Sequence, residues 1–216
     1  MDAAWTWAAV GATGAVLLLY ELLLGLLQRR RLERLARARH ASLREDWFHA
    51  VSAQKGSEIL AVQTLRNSLM SATMLASTAA LALMGALTLA APSLHSSFGA
   101  AQEIADVSPR LVLELMLLTL LFVSLVSTMM SVRFYNHAGF IGGMPVDSEA
   151  RQRWASGGVR YVRRAGILYG VGLRQLVLVV PVVASILIPL AGPAAALVVA
   201  GVLFWFDHHG DETAET

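Results

Sequence analysis

The chain has 216 residues, of which 56% are hydrophobic and only 15% charged, with a formal net charge of +2 and no cysteine. That balance excludes an ordinary soluble domain, and the lack of thiols excludes a disulfide framework, a thiolate nucleophile and a thiolate metal site. The small net charge conceals a segregation, because sixteen of the seventeen Lys and Arg residues fall within 28–67 and 133–175.

Four apolar stretches, 4–27, 69–91, 111–132 and 177–206, are long enough to cross a bilayer, since a helix needs roughly 20 apolar residues for a core of about 30 Å. Backbone amides in lipid must bond within their own segment, so each stretch predicts a helix. The short alternating segments of a membrane barrel are missing. The first stretch reads as a retained anchor: Asp2 precedes it, and Arg29, Arg30 and Arg31 follow it, the reverse of a cleaved leader. Trp5 and Trp7, and at the other end Trp205 with Phe206, fit aromatic anchors at an external interface.

Leu32, Leu35 and Ala36 continue the helical pattern beyond the first span, which predicts a helix projecting past the bilayer. Leu43, Trp47, Phe48 and Val51 then share one face of a short amphipathic helix. Lys55-Gly56-Ser57 ends it, and Ile59, Leu60, Val62 and Leu65 lead into the second span, predicting one uninterrupted helix over about 58–91. Residues 92–110 predict a short external loop. After the third span, Gly139, Gly142, Gly143 and Pro145 predict a turn over 136–147. Asp147 or Ser148 can cap a helix running through Arg164, with Trp154, Val159, Val162 and Ile167 on one face and a kink at Gly157-Gly158. Pro181, Pro189 and Pro193 predict a last span that is bent or broken.

The expected fold is all-α, a polytopic transmembrane four-helix bundle with amphipathic cytoplasmic helices, forming a single membrane domain over 1–216. Cytoplasmic loops carry the excess of basic residues. Regions 28–68 and 133–176 are therefore expected on the cytoplasmic side of a bacterial-type inner membrane, with both termini external. External positions hold Glu103, Asp106 and the acidic tail Asp207, Asp211, Glu212 and Glu215 against the single base Arg110. The basic isoelectric balance reflects this split and argues for membrane lipid, not nucleic acid, as a partner.

Three groups of residues are candidates for chemistry. Glu21 and Glu114 are carboxylates inside predicted spans, at a cost of about 2.5 kcal/mol or more at mid-bilayer. They suit cation binding or proton relay; alternatively Glu114 reaches the external interface near Arg110, and Glu21 pairs with a base at the inner face. Ser71 and Thr78 in the second span, with Ser124, Thr128 and Ser131 in the third, form a polar stripe. Such a stripe either lines a pore or permits close packing, with interhelical hydrogen bonds of about 0.6–2 kcal/mol. Arg44, Glu45, Asp46, Trp47, Arg66, Asn67, Arg133, Tyr135, Asn136 and Arg174 collect at predicted inner boundaries. If they converge, they form either an anionic-ligand or head-group site or a clamp between the amphipathic helices and the span ends. Gly139–Met144 lacks the Gly-Lys-Ser/Thr ending of a phosphate loop. His208 and His209 on the tail are a weak metal signal, no catalytic triad is present, and neither a catalytic residue, a metal nor a cofactor is expected.

The run Arg44-Glu45-Asp46-Trp47, then Arg66-Asn67 entering a Ser/Thr-rich span, Arg133-Phe134-Tyr135-Asn136 after the third span and Gly172-Leu173-Arg174 before the fourth resemble, in order and spacing, a family of small inner-membrane proteins carrying a domain-of-unknown-function label. The resemblance covers nearly the whole chain and implies four spans without implying an activity. Where relatives carry a tyrosine pair after the Gly-Leu-Arg step, this chain has Gln175 and Leu176.

Two functions remain open from sequence. One is a homo-oligomeric ion channel or small-solute transporter, oligomeric because four spans leave little room for an enclosed path, with an ion or small anion as ligand. The other is a non-transporting scaffold or anionic-lipid-binding protein that uses the basic clusters. Neither reading requires an enzyme.

Overall fold

The computed structural model describes residues 3–30, 36–98 and 107–209. They form six helices: α1 (Ala3–Arg30), α2 (Ala36–Ala53), α3 (Glu58–Phe98), α4 (Pro109–Gly142), α5 (Glu149–Leu187) and α6 (Ala191–His209). No strand occurs among the described residues. Helices α1, α3, α4 and α5 are each long and apolar enough to cross a membrane. The chain is thus an all-α, membrane-embedded protein with the four spanning helices expected. The continuation through Leu32 and Leu35, and the acidic residues Glu103, Asp106, Asp211, Glu212 and Glu215, lie outside the described residues.

Helix α3 has 41 residues, about 61 Å at 1.5 Å per residue, or twice the hydrocarbon thickness. It runs through Pro92 to Phe98, so the loop expected to begin at residue 92 starts later. Buried Ala61, Leu65, Ala72, Ala76, Ala79, Ala86 and Ala90 line one side of it, a spacing that repeats every three, four or seven residues and admits close neighbours. The chain divides into two compact units, whose boundaries fall inside α3, α4 and α5.

Unit 1 holds α1, α6 and residues 79–98, 109–123 and 174–187 of the long helices. Val10, Leu17, Tyr20 and Leu24 form one face of α1 and are buried with Leu113, Leu178, Val182 and Ala196. The stretch 177–206, expected as one crossing, is two helices here. Pro189 has no N–H to give the Ser185 carbonyl, and its ring clashes with that carbonyl, so α5 stops at Leu187. Pro193 falls in the first turn of α6, where a missing N–H costs nothing. At the turn, a Cβ on Gly192 would lie 2.5 Å from the Ser185 Cβ and 2.6 Å from the Thr13 hydroxyl oxygen; only glycine lets α1, α5 and α6 meet there. From that point α6 runs back along α1. Val199 and Leu203 pack on the cluster that holds Leu17 and Leu24, and the charge of Asp207 is felt at Tyr20. Had α6 continued the direction of α5, Asp207 would stand more than about 30 Å from Tyr20. The end of α6 thus lies toward the opposite end of α1 from residue 3.

Unit 2 holds α2 and residues 58–78, 124–142 and 149–173. Phe48 of α2 is fully buried with Leu65, Ala72, Tyr135, Ala138, Ile141, Val162 and Ala165, a burial worth about 1.5–3 kcal/mol. Gly158 makes room for it, since a Cβ there would overlap the Phe48 ring; the glycine expected as a kink is a seat for an aromatic. Gly56, with φ of 81°, turns the chain after α2. Ser57 donates its hydroxyl to the carbonyls of Val51 and Gln54, 2.6 Å each. Helix α4 extends through Gly142, so the turn expected over 136–147 narrows to 143–148. There Ser148 caps α5, accepting from the Arg151 amide at 3.1 Å. The Glu58 carboxylate accepts from the Val146 amide at 3.1 Å, and Lys55 pairs with Asp147 at 2.6 Å.

Candidate functional site

The polar stripe of the third span is used up by helix packing. Ser124, Thr128 and Ser131 are fully buried. The Ser124 hydroxyl donates to the Gly172 carbonyl and that of Ser131 to the Ala165 carbonyl, both at 2.8 Å. Thr128 donates to the Ser124 carbonyl at 2.8 Å, and its methyl fills the space a Cβ on Gly172 would need. Small and hydroxyl residues therefore bring α4 and α5 into close contact within unit 2. Ser71 and Thr78 of α3 face the opposite way. Both are exposed, their hydroxyls turned back onto the carbonyls of Asn67 and Met74 at 3.1 and 3.0 Å.

Of the ten inner-boundary candidates, unit 2 gathers Arg44, Trp47 and Tyr135. The Arg44 guanidinium lies over Gly166, where any Cβ would displace it. Tyr135 is buried, with Arg44, Ser68 and Tyr169 in electrostatic or hydrogen-bonding reach. Trp47 packs edge-on to Phe48, centroids 6.2 Å apart, and Glu45 pairs with Arg163 at 3.2 Å. Asp46, Arg66, Asn67, Arg133 and Asn136 are exposed and join no cluster among the described residues. Arg174 belongs to unit 1.

A residue that the sequence reading passed over dominates unit 2. Arg151 is 1% exposed, the largest fully buried side chain. It donates to the Ile141 carbonyl and, at 2.9 Å, to the Ser52 hydroxyl. It also lies 5.3 Å from the centre of the Phe48 ring. Its register gives it away: with Ala155, Gly158, Val162 and Ala165 it repeats every three or four residues, on the face that α5 buries.

Unit 1 contains the two intramembrane carboxylates. Glu114, 4% exposed, accepts from Arg110 Nε one turn earlier at 2.8 Å, while its second oxygen has no partner. Glu21 accepts from the Gln175 side-chain amide at 2.9 Å. Around it stand Tyr20, whose buried hydroxyl has no hydrogen-bond partner, and Arg174, 8% exposed, whose charge reaches Tyr20. Arg174 makes no hydrogen bond or ion pair among the described residues. It is in phase with buried Leu178, Val182 and Ser185 on α5. Beside Glu21 a groove of about 360 Å³ runs between α1 and α4, with Gly14, Leu17 and Leu18 on one wall, Val112, Leu115, Met116, Thr119 and Leu120 on the other, and Leu178 of α5 at its floor.

No group of three or more His, Asp or Glu residues that could hold a metal occurs among the described residues; the side chains of His208 and His209 lie outside them. Compared with known proteins, residues 8–211 match a family model described as a protein of unknown function, DUF599. No curated protein and no solved structure matches.

Proposed function

The chain belongs to the DUF599 family, and from that premise we propose that it is a non-conducting membrane protein that holds anionic lipid head groups on the basic surface of unit 2. The observation that carries this reading is the fate of the third-span hydroxyls. Ser124, Thr128 and Ser131 are fully buried in the helix packing of unit 2 with their protons on carbonyls, so none faces a path where it could replace the hydration shell of a passing ion. Exposed Arg66, Arg133, Arg153, Arg160, Arg163 and Arg164 surround that packed interior, and basic residues near an anionic leaflet contribute about 1 kcal/mol each.

On this reading unit 2 faces the cytoplasm of a bacterial-type inner membrane, in line with the positive-inside rule. The start of α1 is external and the end of α6 points inward. In liposomes the purified protein should pass no ion across a broad panel. Arg163→Glu combined with Arg164→Glu should weaken retention of anionic lipid at least about tenfold, from the per-charge contribution above. Ion flux, or unchanged lipid retention in the folded variant, overturns the proposal.

One observation favours a second reading, a conduit between copies of the chain. Ser71, Thr73, Ser77 and Thr78 are exposed on α3, where a homo-oligomer would bring several such faces together. Flux abolished by Ser71→Leu with Thr78→Val selects it.

A further inference from the structure

The groove of unit 1 calls for a different ligand from the basic surface of unit 2. Its walls are almost wholly aliphatic, and Leu18 and Leu115 on its rim are exposed, so lipid hydrocarbon has direct access. At about 360 Å³ it is within the range of small-molecule sites, about 300–1,000 Å³. Between Gly14 and Glu21 it extends about 10 Å along α1. Thr119, the other polar residue in the lining, donates its hydroxyl to the Leu115 carbonyl at 2.7 Å and keeps only a neutral acceptor for a ligand, weaker than the carboxylate of Glu21.

Glu21 closes one end, and its chemistry decides what fits. One carboxylate oxygen accepts from Gln175, and no hydrogen bond reaches the second among the described residues. Arg174, the nearby cation, forms no ion pair with it. A carboxylate beside hydrocarbon is expensive unless a donor or cation meets it, and it repels phosphate. The occupant must therefore carry an aliphatic chain with a nitrogen donor at its polar end. We propose that the groove holds one acyl chain of a membrane phospholipid whose head group bears an amine, the ammonium donating to the free oxygen of Glu21.

The full-length protein, stripped of lipid in a neutral detergent, would be titrated with phosphatidylethanolamine and with phosphatidylcholine of the same chains, and bound lipid counted by native mass spectrometry. Both lipids are zwitterionic, so the basic surface of unit 2 does not separate them, and only the first has N–H donors. The amine lipid should be retained about tenfold more tightly, the worth of one charge-assisted hydrogen bond. Glu21→Gln should remove that preference, and Thr119→Trp, which fills the groove, should lower retention of both lipids. A phosphatidylethanolamine with a photoreactive acyl chain tests the wild-type protein without any variant and should label 112–120. Equal retention of the two lipids, a preference that survives Glu21→Gln, retention unaffected by Thr119→Trp, or labelling elsewhere overturns the proposal. Loss of anionic-lipid binding at Arg163 and Arg164 bears on the basic surface alone and leaves this result standing.

Discussion

Arg151 and Arg174 are both buried on α5, one in each unit, and they are held very differently. Arg151 spends its guanidinium on the Ile141 carbonyl, the Ser52 hydroxyl and the Phe48 ring, binding the ends of α2, α4 and α5 together. Arg174 has only the charge and hydroxyl of its neighbours around Tyr20, and Tyr20 itself is unsatisfied. Removing a solvated charge from water is repaid only by well-made partners. An arginine that ties three helix ends together is therefore a clamp, even with its buried Nε unpaired, whereas one without such contacts keeps its donors available. Unit 2 is built to be rigid around its polar residues, and unit 1 keeps polar groups available.

Breaking the clamp side should have the largest effect. Phe48→Ala removes a fully buried ring and the face under Arg151, and should cost about 3–5 kcal/mol, read as a lowered unfolding midpoint in detergent. Arg151→Met keeps the volume but removes the donors to the Ser52 hydroxyl and the Ile141 carbonyl, which keeps only the Met144 amide, for a loss of about 1–3 kcal/mol. Arg174→Met sharpens the comparison because its sign should differ. Exchanging an under-coordinated buried charge for an apolar side chain should leave stability unchanged or raise it by about 1 kcal/mol. A loss as large as that of Arg151→Met would mean that the two arginines do the same job.

The smallest effect concerns the exposed pair at the base of unit 2. Hydrogen bonding to Asp147 holds the Lys55 ammonium above its ordinary value of 10.5. A raised value in the folded state means that this contribution is complete below 10.5 and fades as pH rises through the higher one. Asp147→Asn should lower the melting temperature slightly at neutral pH, and the gap to wild type should close in strong alkali. A gap that widens with pH would place the origin elsewhere.

The candidate residues were legible to different depths. Glu114 with Arg110 follows from a four-residue spacing on one helix, and the structure pairs them. Of the face expected on α2, Phe48 and Val51 are buried and Trp47 packs against the same cluster, whereas Leu43 is exposed. The ten inner-boundary residues shared a predicted depth, but depth does not set azimuth: Arg44 and Tyr135 turn inward while Arg66, Arg133 and Asn136 turn out. Arg151 was readable from its phase on α5, yet its charge suggested the solvent face.

Composition, apolar run length and the clustering of basic residues determined by themselves that this is a helical membrane protein with long spanning helices, because transfer into lipid depends on local sequence alone. Whether 177–206 crosses once or folds back needed the tertiary structure. Three prolines say that the helix must yield, but the direction it then takes depends on Gly192 fitting between Ser185 and Thr13, residues far apart in the chain. The same holds for the hydroxyls of α4, the clamp at Arg151 and the groove at Glu21. Each is defined by a partner on another helix, and packing complementarity between helices leaves no mark in a single run of sequence.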